Sequence, residues 1–160
     1  MLDTETFRSV MGSFATGVTV LTFPGEEHGM TANAFSSVSL DPPLLLVCID
    51  HETTSYELLQ NREVDSFCVN MLAASQHHLG EYFADMRDLD ESPFDSEPTE
   101  SAVSGAPIFT DSLAFADCEI WDSTVAGDHT IYIGEVKDAG ILDDEADALT
   151  FFRGSWGSLS

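Results

Sequence analysis

The order of apolar and polar residues predicts one helix followed mainly by strands. Near the start, apolar residues recur at helical spacing behind Asp3 and Thr4, either of which can cap the helix. These apolar residues are Phe7, Val10, Met11 and Phe14. In residues 17–23 the side-chain pattern repeats every two residues and includes β-branched residues, which predicts a strand. Residues 29–40 are also predicted to be extended. The apolar run 44–49 predicts a strand that is buried on both faces.

The middle of the chain predicts two short helices, a strand and a loop. Residues 53–61 place apolar side chains at helical spacing behind hydroxyl residues, and 75–84 form a second such segment. Residues 66–72 between them have the composition of a strand. The segment 85–107 is rich in acids, contains prolines and shows no periodicity, which predicts a long loop.

Two long alternating runs complete the pattern. Residues 112–125 and 129–142 predict paired strands, and the intervening Ala-Gly-Asp predicts the turn that joins them. Because no regular crossover helices separate the strands, a closed or split antiparallel barrel fits better than a doubly wound sheet. We therefore expect a mainly β fold, a β-barrel with a few short helices, in a single domain over residues 1–160.

The charge of the chain is far from average. Five basic residues oppose 29 acidic ones, which gives a net charge of −24, and the acids are spread along the whole sequence. This self-repulsion destabilises a compact state at low salt, whereas near 1 M salt the screening length falls to about 3 Å. We expect a halophilic protein of a salt-rich cytoplasm; an acidic mesophilic protein is the alternative.

Charge and hydropathy also exclude several classes of partner. The chain has no basic stripe for nucleic acid and no apolar run of the ~20 residues that a membrane helix needs. The acidic, polar N-terminus does not resemble a signal peptide, and we expect a cytoplasmic protein. Cys48, Cys68 and Cys118 lie within apolar segments, which favours reduced thiols.

Common site motifs are absent from the sequence. It has no G-x-G-x-x-G, no G-x-x-x-x-G-K and no H-E-x-x-H. The adjacent His77 and His78 would project differently from a helix, and the other histidines lie in separate segments, so we expect no metal site. The stretch 29–43 is more distinctive, because small residues, hydroxyls and one amide directly precede the most apolar run.

Several ordered segments resemble the flavin reductase-like family of FMN-binding split barrels, the reductase components of two-component flavin monooxygenases. The segments are 7–22, 29–50, 66–84, 127–136 and 151–156. The resemblance implies a Greek-key split barrel and a homodimer with flavin near the subunit interface. It also implies FMN, with FAD as the alternative flavin, NADH or NADPH as the reductant, and a monooxygenase component that receives reduced flavin.

The resemblance further implies where the flavin binds. Thr31, Ala32 and Asn33 would lie along the isoalloxazine edge, where small side chains permit close backbone approach. Ser37 and Ser39 would offer hydroxyl and backbone N–H groups lower down the ligand.

On the phosphate side, the resemblance implies a turn that carries Asp50, Thr53 and Ser55. Hydroxyls before a helix can join its free N–H groups in binding an anion. Members of the family often carry a basic residue beside an aromatic in the loop after the second helix, whereas this chain reads Glu-Ser-Pro-Phe there. Three arginines remain open as phosphate anchors: Arg62, Arg87 and Arg153.

For hydride transfer the protein mainly supplies position, since the cofactor carries the chemistry. The family motif at the Gly-Asp-His turn implies His129 near the nicotinamide; the alternative is a histidine that only bonds within its turn. Phe83 and Trp156 are candidates for lining the flavin or nicotinamide face, or are core aromatics.

Two other functions stay open at this stage. A non-catalytic split-barrel protein could hold FMN permanently. A pyridoxamine phosphate oxidase-like enzyme is the second alternative, although its phosphate site calls for several basic groups and this chain has few.

Overall fold

The computed structural model of the chain describes all 160 residues and is built mainly from antiparallel strands. The helices are α1 (Thr4–Gly12), α2 (Thr54–Gln60), α3 (His77–Tyr82) and α4 (Pro93–Ser96), with a 3₁₀ turn (Ala74–Gln76) before α3. The strands are β1 (Thr16–Gly17), β2 (Thr19–Thr22), β3 (Gly29–Ala32), β4 (Phe35–Leu40), β5 (Pro43–Asp50), β6 (Ser66–Met71), β7 (Thr99–Ser101), β8 (Pro107–Phe109), β9 (Ala114–Ala126), β10 (His129–Ile141), β11 (Ala148–Phe152) and β12 (Ser155–Leu159). None of the helices has the length and apolar character needed to span a membrane.

The first helix begins where the sequence predicted it. Asp3 caps α1, because its Oδ1 accepts a hydrogen bond of 2.7 Å from the Thr6 backbone N–H. The apolar side of α1 covers no core of the chain: Phe7 is 52% exposed, Met11 is 53% exposed, and no residue of the helix is buried. This helix therefore presents an apolar face outward.

The main sheet has seven strands in the order β3-β2-β6-β9-β10-β5-β4, and every neighbouring pair is antiparallel. The mainly β class is confirmed, but the sheet is not closed, because its edge strands β3 and β4 are not hydrogen-bonded to each other. Only Asn33 and Ala34, which we call the edge link, separate these two strands in the chain. The sheet must therefore curl until its edges approach each other, and it stays open at the edge link.

The two long strands confirm the strongest part of the sequence pattern. β9 and β10 pair from Ala126 opposite His129 to Ala114 opposite Ile141, with two irregularities in register. Gly127 occupies the turn with a φ of +67°, a conformation that favours glycine. Within β10, Gly134 permits close packing, because a Cβ there would lie 2.7 Å from Cβ of Cys118.

Two predictions from the sequence were wrong: the burial of both faces of β5, and the lack of regular structure in the segment 85–107. In β5, Leu45, Val47 and Ile49 are buried, whereas the alternate residues are only partly covered, because successive side chains of a strand point to opposite faces and only one face meets the core. The segment 85–107 is also more ordered than a loop: it contains α4 and β7, and β7 pairs with β8. Aromatic packing explains this order, since the rings of Phe83, Phe94 and Phe109 lie within 5.8 Å of one another.

A buried amide ties the β7–β8 hairpin to the main sheet. Asn70 is fully buried in β6, where its Oδ1 accepts from the Phe109 backbone N–H at 2.9 Å. Its Nδ2 donates to the Val20 carbonyl at 3.2 Å. The Thr22 hydroxyl donates to the Pro107 carbonyl at 2.6 Å, which adds a second tie to the same hairpin. This network satisfies polar groups that would otherwise be buried without partners.

We expect Asn70→Leu to lower the free energy of unfolding by about 1 to 3 kcal/mol, because the Phe109 N–H would lose its partner while buried. Denaturant unfolding in concentrated KCl measures the change. The matched control is Asn61→Leu at an exposed position, which should stay near the wild-type value. Equal stability of the two variants would contradict a structural role for the amide.

Candidate active site

Asn33 in the edge link has hydrogen-bonding groups with no partner in the chain. Its side chain is exposed, and neither its amide nor its backbone N–H takes part in a hydrogen bond within the protein. The next residue is fixed, because the Ala34 carbonyl accepts from the Cys48 N–H of β5 at 3.0 Å. The opening of the sheet therefore offers free donors on an anchored backbone.

Three adjoining cavities meet at Asn33, which lines all of them. Their volumes are about 390, 210 and 170 Å³. The first is bounded by Phe35 and Met71, the second by Phe7 and Arg8, and the third by Met86 and Trp156. Apolar cavities with a few placed polar groups are the usual form of a small-molecule site.

The two residues before Asn33 have different surroundings. Thr31 lines the third cavity, but its hydroxyl donates to the Gly80 carbonyl at 2.7 Å and its N–H donates to the Phe83 carbonyl at 3.1 Å. The Ala32 side chain is buried in the core. Among the three residues predicted along a ring edge, Asn33 alone has a free side chain.

The two candidate aromatics lie in different cavities. Trp156 shares the third cavity with Asn33, and its ring lies 5.0 Å from the rings of both His77 and Phe151. Phe83 is a core residue that packs against Gly29, where a Cβ would lie 2.8 Å from Phe83 Cε1. Its ring also borders a fourth cavity, which does not contain Asn33.

Ser37 and Ser39 lie on β4, away from the predicted phosphate-side turn. They pair with Leu45 and Leu44, near the start of β5, whereas Asp50 is the last residue of that strand. At about 3.3 Å per residue, the six steps from Leu44 to Asp50 span roughly 20 Å. The structure does not bring Ser39 and Asp50 together within the chain.

The predicted phosphate-side turn borders the fourth cavity, of about 500 Å³, but the hydroxyls of Thr53 and Ser55 already have partners. The Thr53 hydroxyl donates to the Asp50 carbonyl at 2.7 Å and accepts from the Tyr56 N–H at 3.2 Å, which caps α2. Ser55 is fully buried, with its Oγ 2.8 Å from His28 Nε2. Sequence reasoning missed His28, because its partner is 27 residues away in the chain.

The fourth cavity carries more negative than positive charge. Its acidic lining residues are Glu27, Glu52, Asp85 and Asp88. Arg87 is its only arginine, and this side chain is already paired with Glu81 at 3.3 Å. Burial lowers the pKa of His28, which favours the neutral imidazole, although nearby carboxylates oppose this shift.

His129 lies at the start of β10, directly opposite Asp50 on β5. Its Nδ1 is 2.7 Å from the Asp128 carboxylate, and this hydrogen bond lowers the pKa of Asp128. The His129 side chain is 40% exposed and lines none of the four cavities. Within the chain, His129 therefore lies apart from the cavities at Asn33.

Comparison with known proteins shows the family of the chain. The flavin reductase like domain family matches residues 11–160. The solved structure of the flavin reductase PheA2 superimposes with a TM-score of 0.88 at 41% identity and covers 99% of each chain. The NADH:FAD oxidoreductase SgcE6 of Streptomyces globisporus, solved with NAD and FAD fragments, gives a TM-score of 0.87 at 34% identity, covering 100% of this chain and 96% of the other.

Curated relatives are similar over most of the sequence. The reductase subunit HsaB of a flavin-dependent monooxygenase from Rhodococcus jostii is 35% identical over 160 residues, which are 99% of this chain and 79% of that protein. Some relatives are longer, and the chain spans 43% of a probable flavin reductase from Rhizobium meliloti, at 40% identity. With matches over nearly its whole length, the chain belongs to the flavin reductase like domain family.

Proposed function

We propose that the chain is an NAD(P)H-dependent flavin reductase that uses FMN, acts as a homodimer and supplies reduced flavin to a monooxygenase component. The observation that carries this proposal is the free amide of Asn33 at the junction of three cavities, in a chain whose solved relatives are flavin reductases. The chain is thus an oxidoreductase of the flavin and nicotinamide class.

The residues of the edge link fit a flavin ring. A ring carbonyl or nitrogen needs donors, and Asn33 has both a side-chain amide and a backbone N–H without partners. Trp156 and Met86 supply apolar surface beside these donors. When bound, the flavin accepts at N5 a hydride from the nicotinamide C4. The chain's own contribution is to hold both rings in contact and to exclude water from them.

Two apolar surfaces of the protomer support a homodimer. One is the outward side of α1, with Phe7 and Met11 exposed. The other is the outer face of the sheet, where Leu46 of β5 pairs with Ile133 of β10 and both are only partly buried. Burial of such faces favours association. His129 lies at the end of the second face, where it would meet the other copy.

The relatives support a monooxygenase as the acceptor of reduced flavin, since HsaB is the reductase subunit of a flavin-dependent monooxygenase. A salt-rich cytoplasm is the proposed location, because the net charge is −24 and the three cysteines are free. Burial raises the pKa of the Cys118 thiol to about 12, which keeps this thiol protonated and unreactive.

Asn33→Leu and Ser39→Leu should weaken FMN binding by about tenfold or more, because bulky apolar side chains would remove donors and block close approach. Flavin fluorescence titration in concentrated KCl measures the affinity. Ser101→Leu, on the separate β7–β8 hairpin, is the control and should leave affinity unchanged. The proposed flavin site is wrong if neither variant differs from this control.

His129→Ala should raise the KM for NAD(P)H or slow hydride transfer, while the melting temperature changes little, because the side chain is 40% exposed. Stopped-flow reduction of flavin in concentrated KCl separates the two kinetic effects. A large fall in melting temperature with normal hydride transfer would assign His129 to bracing its turn.

Transfer from concentrated KCl to dilute buffer should dissociate or unfold the dimer and release flavin. The reason is that 29 acidic residues oppose only five basic ones, and the screening length grows from about 3 Å at 1 M salt to about 30 Å at 0.01 M. Light scattering, thermal melting and flavin titration across a KCl series test this. Unchanged oligomeric state, melting temperature and flavin affinity would contradict the halophilic assignment.

A further inference from the structure

A fifth cavity, of about 520 Å³, differs in composition from the other four. It is lined by two arginines, two serines and two glycines, and we call it the arginine cavity. The lining residues are Arg8, Ser9, Gly12, Ser13, Arg153 and Gly154. No carboxylate lines it, although the chain contains 29 acids. Two of the five basic residues therefore meet where acids are excluded.

Neither arginine of this cavity is neutralised by the protein. Lys137 pairs with Glu135, and Arg87 pairs with Glu81, but Arg8 and Arg153 take part in no salt bridge. The Arg153 guanidinium lies 4.8 Å from the centre of the Phe152 ring, a cation–π contact that limits its freedom. Both charges are therefore available to an anion.

The two arginines come from elements that are held against each other. The Arg153 N–H donates to the Gly12 carbonyl at the end of α1 at 2.8 Å, and Arg8 lies one helical turn before Gly12. Arg153 has a φ of +51°, a left-handed conformation that favours glycine and costs free energy for other residues.

The arginine cavity adjoins the proposed ring site. It shares Arg8 and Gly12 with the second cavity, and that cavity contains Asn33. By contrast, the fourth cavity at the predicted phosphate-side turn has four acidic residues and one paired arginine, and the hydroxyls of Thr53 and Ser55 there are already hydrogen-bonded. If a ring binds at Asn33, the unpaired positive charge beside it therefore lies on the α1 side, where an anionic group attached to the ring could bind.

We propose that Arg8 and Arg153 bind a phosphate group of a nucleotide ligand, either the phosphate of FMN or the diphosphate of the reduced nicotinamide dinucleotide. This assignment rests on the proposed function. Guanidinium groups suit phosphate because they form charge-assisted, bidentate hydrogen bonds. The Ser9 hydroxyl, which has no partner in the chain, can add a further donor.

The test compares Arg8→Gln and Arg153→Gln with two matched controls in concentrated KCl. Arg62→Gln removes an exposed arginine that also has a positive φ, of 56°, and lines none of the five cavities described. Arg87→Gln removes the arginine of the acidic fourth cavity. Affinities are measured for FMN and riboflavin, and KM for NADH and for 1-benzyl-1,4-dihydronicotinamide, which has no phosphate.

We expect each arginine-cavity variant to weaken either FMN or NADH by about tenfold, with no change for its phosphate-free counterpart. The affected ligand identifies the source of the phosphate, and Arg8→Lys and Arg153→Lys should restore part of the loss. Effects equal to those of Arg62→Gln, a loss only in Arg87→Gln, or an equal loss for the phosphate-free ligands would each overturn the proposal. Failure of the proposed function would give a different result, because the wild type would then reduce neither FMN nor riboflavin.

Discussion

The structure depends on the two-residue link between the two edges of its main sheet. Because β3 and β4 are consecutive in the chain and yet lie at opposite ends of a seven-stranded sheet, the sheet must curl around its core. The edges still do not pair, since Ala34 already bonds to β5 and the chain changes direction there. Asn33 is left at the opening with unpaired donors, which a ligand can satisfy.

Charge gives the site a second constraint. In a protein with 29 acids, an anionic ligand is repelled by most of the surface, so even a few local cations decide where its phosphate can lie. Hydroxyls alone do not identify that place, since the Thr53 and Ser55 hydroxyls are used to cap α2 and to bond His28. The distribution of the five basic residues is therefore more informative than the distribution of hydroxyls.

The sequence predicted those parts of the fold that depend on local periodicity. β9, β10 and the glycine turn between them follow from alternation and turn chemistry, and α1 follows from helical spacing and its Asp3 cap. Burial was harder to predict, because the outer side of β5 is apolar but only partly covered within the chain. The His28–Ser55 bond and the meeting of Arg8 with Arg153 depend on tertiary folding between distant segments, for which one sequence carries no signal.

A single protomer does not bring together all the residues that the family resemblance implies. Asn33 and Trp156 share one cavity, whereas His129 and Asp50 face each other at the far end of β5 and β10, beside partly exposed apolar side chains. Side chains that are apolar, partly exposed and in register on two neighbouring strands are what an interface between copies buries. If the outer face of β5 and β10 packs against a second copy, the same association covers that face and brings His129 to the boundary between subunits. Catalysis and dimer formation would then depend on the same apolar surface, and loss of association would cost activity before it cost the fold.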